Sequence, residues 1–336
     1  MKQAERIALA VLLALWGTAV MLEESPVAAD ERARRKVEEW SVSREGAREL
    51  RLRNPGGNLR FLPGEDDRIH VVAEKRVQGG DPGEAEAFLE QMTFSRRREG
   101  DRWVFEADWP RPRSRWRGSA HVNWEVRLPR GLRLDAETGG GNVAAAELGA
   151  TRLRTGGGNV AVKRVEGPLD LYTGGGNVAV QTAGETRIHT GGGNVTATEI
   201  RGGLSLQTGG GNIEIERCGG DVDARTGGGN IHIGDVRGTI VARTGAGNVR
   251  ASLDSGGRPP KAEVRTGAGD IDLVLRGEPN AQVRAETGNG HVSLQPAGAA
   301  RLSADRTRLE ARLGDGAGTI HLNTGTGTVR IRLAER

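Results

Sequence analysis

Cysteine is almost missing from this 336-residue chain: Cys218 stands alone, so no disulfide can form within it. Aromatic residues make up only 3 % of the composition, with a single tyrosine. A core of large rings therefore cannot extend through the whole molecule. The longest apolar run, Ile7 to Leu22, is shorter than the roughly 20 residues that a spanning helix needs. Six histidines are scattered without metal-ligand spacing, which argues against a metal site. The charge is nearly balanced, 48 basic against 44 acidic residues for a net +4, and this is no nucleic-acid signature.

Glycine, by contrast, is abundant at 53 residues, and much of it lies in one phrase. Thr-Gly-Gly-Gly-Asn opens at Thr138, Thr155, Thr173, Thr190, Thr208 and Thr226, then loosens at Thr244, Thr266, Thr287 and Thr324. The strict copies recur every 17 or 18 residues, the mark of stacked units too small to bury an apolar face alone. Directly after the Asn come Val143, Val160, Val178, Val195, Ile213, Ile231 and Val249, and two residues later Ala145, Val162, Val180, Ala197, Ile215, Ile233 and Ala251. That period of two predicts a strand with one buried face. A second strand before the Thr places Leu153, Leu171, Ile188, Leu206, Ala224 and Ala242 inward, and Leu148, Val165, Ala183, Ile200, Cys218 and Val236 form a third inward column. The fold expected is all-β, a parallel β-helix or β-solenoid of about 18-residue coils. Asn142, Asn159, Asn177, Asn194, Asn212 and Asn230 are expected as structural turn residues stacked into a ladder along one corner.

Residues 1–29 read as an export signal: Lys2 and Arg6, the apolar run, then Val27-Ala28-Ala29 suited to cleavage. The protein is accordingly expected to be periplasmic, at the cell surface or secreted, with no membrane span after cleavage. Residues 30–130 hold Trp40, Trp103, Trp109, Trp116, Trp124 and all four Phe, and are expected to form a β-rich cap. Strands are predicted near 38–44, 48–53, 58–62, 68–77, 102–108 and 119–128. One helix is predicted over 82–93, with Asp81 as cap and Pro82 in its first turn. Asn54-Pro-Gly-Gly-Asn58 resembles the repeat turn and predicts the first coil. The solenoid is expected over 131–336 with a C-terminal cap. Ser255–Pro260, Gly277–Asn280 and the stretch between Pro296 and Asp315 are expected as loops bulging from one corner or as the closing cap, and Thr319–Leu333 should supply the last strands.

Nucleotide-binding glycine loops lead into a helix, whereas these lead into strands. Calcium-binding repeat turns need an Asp carboxylate, yet every strict copy has Asn and only Asp270 supplies a carboxylate there. No cofactor, metal or catalytic residue is expected. Two groups are candidates for binding. In the first, Trp109, Arg111, Arg113, Arg115, Trp116 and Arg117 interleave rings with guanidinium groups that suit sugars and anions. The second is a column before the Thr in which Arg225, Arg243 and Arg265 stack; Asp223 and Glu263 lie close enough in sequence to neutralise them.

The repeats, together with Pro129–Asp135 and Asn54–Asn58, resemble the bacterial putative-adhesin family of β-strand-repeat domains of unknown function. The resemblance implies an exported β-solenoid of the cell envelope and carries no catalytic residues. The function expected is a non-enzymatic, adhesin-like interaction scaffold, with an anionic envelope polymer or an envelope protein as partner. An accessory role in envelope-stress signalling, through binding another protein, is the alternative, and a glycan-acting enzyme ranks last.

Overall fold

The structure is a computed structural model that describes residues 33–79, 81–109, 118–254, 256–296 and 301–334. The expected signal at 1–29 lies outside these residues, as do Arg111, Arg113, Arg115, Trp116 and Arg117. Apart from one helix the described chain is all-β. Its strands order into two sheets, of 14 and 15 strands, and the repeat strands pair in parallel. The parallel β-solenoid is therefore the fold. By compactness the chain divides into Met1–Ala179 and Val180–Arg336.

In the first unit each coil contributes one strand to each sheet. Val143–Leu148 lies beside Val160–Val165 in one sheet, and Arg133–Thr138, Thr151–Thr155 and Leu169–Thr173 lie side by side in the other. The register holds Thr138, Thr155 and Thr173 abreast, so one repeat stacks on the next without slippage. All three predicted inward columns are buried. Glu147 and Arg164 take positive φ of 56° and 57° just before the third column. This local kink breaks the alternation and turns Leu148 and Val165 inward.

Asn54–Asn58 does belong to the stack. Glu49–Asn54 pairs in parallel with Arg133–Thr138, and Leu59–Pro63 with Val143–Leu148. Chain order and spatial order then part: Arg102–Asp108 and Ser119–Leu128, later in sequence, form the coil beyond 49–63. Antiparallel strands close this end, Arg68–Gln78 and Ala33–Ser43 on one sheet and Thr93–Glu99 on the other. The last of these, with three consecutive arginines, has no apolar alternation and was not predicted. Helix Pro82–Gln91 begins where expected, with Asp81 Oδ1 accepting from the Gly83 N–H at 2.9 Å, and it buries Ala85, Phe88 and Leu89. Beneath the cap Trp40, Phe94 and Trp124 meet edge-on or tilted, with centroids 5.1–6.1 Å apart.

In the second unit the same coil repeats from Thr186–Thr190 and Val195–Ile200 onward, with Thr208, Thr226, Thr244 and Thr266 in register. Here too the chain doubles back. The final strands Gly318–Thr326 and Val329–Ala334 insert beside Lys261–Ala268 and Ile271–Arg276. That leaves Ala281–Asn289 and Val292–Gln295 outside them, so the last strands in sequence are not the last in space. An antiparallel hairpin, Arg301–Ala304 with Arg308–Leu313, fills the long interval expected to close the stack.

Candidate interaction surface

The glycine-rich corner is built from the backbone outward. Each Thr is buried, at most 6 % exposed, and within each unit such hydroxyls donate to the carbonyl of the third Gly one coil away, as from Thr155 to Gly141 (2.9 Å) and from Thr226 to Gly211 (2.8 Å). The Asn residues form the expected ladder, through main-chain donors. Asn142 Oδ1 accepts from the Asn159 N–H, Asn159 Oδ1 from Asn177, Asn194 Oδ1 from Asn212, and Asn212 Oδ1 from Asn230, at 2.8–2.9 Å. Asp270 continues the series: its N–H donates to Asn248 Oδ1, and its own Oδ1 accepts from Thr328. An amide and a carboxylate serve equally here because only an acceptor oxygen is used. The ladder extends back through Asn58 to Asn123 Oδ1, and Trp109 lies against Gly56 beside it. Among the described residues no three His, Cys, Asp or Glu side chains converge to hold a metal. Cys218 is buried, and burial pushes its thiol upward.

The outward faces carry the charge. Arg225, Arg243 and Arg265 stack in register as expected, and their neutralising partners are in place. Arg225 Nη2 meets Asp223 Oδ2 at 2.7 Å, while Arg243 and Arg265 share Glu263 Oε1 at 2.8 and 3.2 Å. The Arg243 hydrogen bond holds the Glu263 carboxyl below its usual range, and Glu263 raises Arg243 in return. A grip on an external anion would have to compete with these pairs.

Unengaged cations lie at the opposite end of the same strands. A cleft of about 410 Å³ is lined by Arg237, Arg258, Lys261, Asp221 and Asp254, with Pro259 and Pro260 as a wall. A neighbouring cleft of about 350 Å³ holds Glu185, Arg187 and Asp223 and shares Asp221 and Thr239 with the first. Together they cross the strands from Thr186–Thr190 to Lys261–Ala268, five neighbours or about 20 Å at ordinary strand spacing. Asp221 and Asp254 each accept from a backbone N–H, of Thr239 and Gly256 respectively, and Asp223 is held by Arg225. Among the described residues Arg187, Arg237, Arg258 and Lys261 make no side-chain hydrogen bond or ion pair. The sequence signal for this groove was the period lengthened by Ser255–Pro260; which cations remained free could not be read from spacing.

A family model described as Toastrack DUF4097 matches residues 47–332. No curated protein matches. Among solved structures, a putative lipid binding protein from Parabacteroides distasonis is 14 % identical, covering 71 % of this chain and 96 % of its own, with a TM-score of 0.46. A putative adhesin from Bacteroides fragilis is 13 % identical over 88 % of this chain and 97 % of its own, with a TM-score of 0.33. A putative cell adhesion protein from Clostridium sporogenes is 10 % identical over 90 % of this chain and 100 % of its own, with a TM-score of 0.21.

Proposed function

The chain belongs to the Toastrack DUF4097 family, and from that premise we propose an exported, non-enzymatic scaffold of the cell envelope that holds an anionic glycan in the groove from Arg187 to Lys261. The observation that carries this reading is the set of four unengaged cations along a groove that crosses five strands. Guanidinium and ammonium groups there can take the carboxylate or phosphate of a polymer without first breaking an internal pair. The interspersed Glu185, Asp221 and Asp254 offer acceptors to sugar hydroxyls. Export is supported by the basic, apolar and small-residue pattern of residues 1–29.

The test is co-sedimentation with isolated anionic envelope polysaccharide across a salt series. Binding should weaken as salt shortens the screening length below about 10 Å. Replacing Arg187, Arg237, Arg258 and Lys261 together with Gln should cut affinity by about tenfold or more, roughly 1.4 kcal/mol. Arg225→Gln should change it far less. Unaltered binding in the fourfold variant would overturn the reading, and absence of binding at low salt would favour a protein partner.

A further inference from the structure

Four strands stand at the ends of the two sheets, and they differ in what they could pair with. Val292–Gln295 and Arg301–Ala304 have four residues each, too short to template a long pairing. Thr93–Glu99 carries Arg96, Arg97 and Arg98 in succession, so a second copy laid against it would meet like charge. Ala33–Ser43 is eleven residues long, and among the described residues no strand pairs with its outer side.

Its sequence is self-complementary. In an antiparallel pairing with a second copy centred on Val37, Arg35 falls opposite Glu39 of the other copy on the solvent face, twice by symmetry. Lys36 falls opposite Glu38 on the inner face, and Val37 meets itself. Three features inside one protomer favour this seam. Its own partner strand sets Arg76 opposite Arg35, like charges that oppose each other across the ladder, whereas Lys75, opposite Lys36, is already paired with Glu38 at 2.8 Å. Among the described residues Arg35, Arg76 and Glu39 have no ion-pair partner. Finally, Val37 (49 % exposed) and Val72 (37 %) are two of the three large hydrophobics left exposed among the described residues, and Val72 is opposite Glu39, diagonal to Val37. Two copies would join these into one apolar stripe of four valines across the seam.

We infer that the protein associates with a second copy of itself through the Ala33–Ser43 edge, in a two-fold antiparallel pairing centred on Val37. The test uses the full chain, in which the only native cysteine is buried. Val37→Cys should give a covalent dimer under mild oxidation or with a short bis-maleimide, because directly opposed Cβ atoms lie about 4.5–5.5 Å apart. Val72→Cys, exposed on the same face but one strand inward, should give at least tenfold less. Adding Arg35→Glu to Val37→Cys, or adding Glu39→Arg, should remove the dimer, since each alone opposes like charges across the seam. Co-expressing those two double variants should restore it as a mixed dimer, because every charge across the seam then faces one of opposite sign; the restoration also shows that both variants fold. A Val37→Cys chain that does not cross-link, or whose cross-linking ignores these charges, would overturn the inference.

Discussion

The three glycines of a repeat turn meet different surroundings. A Cβ on the first, as on Gly227, would sit 2.1 Å from the carbonyl oxygen of Gly209 one coil away. The third combines a similar clash with positive φ in several copies, 121° at Gly158 for example. The second, Gly228, has nothing within 4 Å. The loosened repeats obey this division: Ala246, Ala268, Asn289 and Thr326 replace only the second glycine, while the first and third stay Gly. Gly228→Ala is therefore expected to leave thermal stability unchanged or to raise it by up to about 1 kcal/mol. Gly227→Ala should cost about 1–3 kcal/mol through backbone displacement. Denaturant titration of the two variants measures the difference, and equal effects would refute the stacking account. The sequence showed that the turn demanded glycine, but the middle position became distinguishable only when the coils were placed against each other.

Between neighbouring elements the charged outer face is linked by ion pairs, one of them built on a half-buried carboxylate. Asp135, on Arg133–Thr138, receives Arg51 Nε at 3.1 Å and Arg53 Nη2 at 3.0 Å from the adjoining strand Glu49–Asn54. Burial works to raise the Asp135 carboxyl, but the hydrogen bonds and charges of Arg53 and Arg51 outweigh it and hold the group below the usual carboxylate range. Asp135→Asn is expected to destabilise the protein by about 1–2 kcal/mol at neutral pH, the scale of hydrogen bonds to charged groups. Because the folded value is depressed, this contribution is present above the unfolded value of about 3.9 and is lost as pH falls through the folded one. The gap between wild type and variant should thus shrink toward pH 2; a constant gap would point to packing alone. Repeat strands and the helix were legible because their periodicity is strong. Thr93–Glu99 was not, because an edge strand stapled by Arg97 to Glu106 needs little apolar alternation.

Across the described residues the shifted carboxyls and the one shifted histidine lean one way. Asp66, Glu106, Asp135, Glu263 and Asp305 are all held below their usual values, and burial lowers His121, assisted by the charge of Arg76. For His121 the stabilising contribution is present above the unfolded value of about 6.5 and is lost as pH falls from there toward its folded value. The carboxylate contributions disappear at lower pH, below about 4. Melting temperature should therefore fall in two stages between pH 7.5 and pH 3, and a rise on acidification would contradict these assignments. The sequence by itself determined the repeating coil, its inward columns, the Asn ladder and the buried cysteine, because each follows from a local period that every copy restates. Only the tertiary structure decided which coils lie outermost, since the chain doubles back at Arg102–Leu128 and at Gly318–Ala334, and such returns depend on pairing over long sequence separations. It alone also decided which cations are free, because Arg225, Arg243 and Arg265 are neutralised by neighbours on their own and adjoining strands, whereas Arg187, Arg237, Arg258 and Lys261 are not.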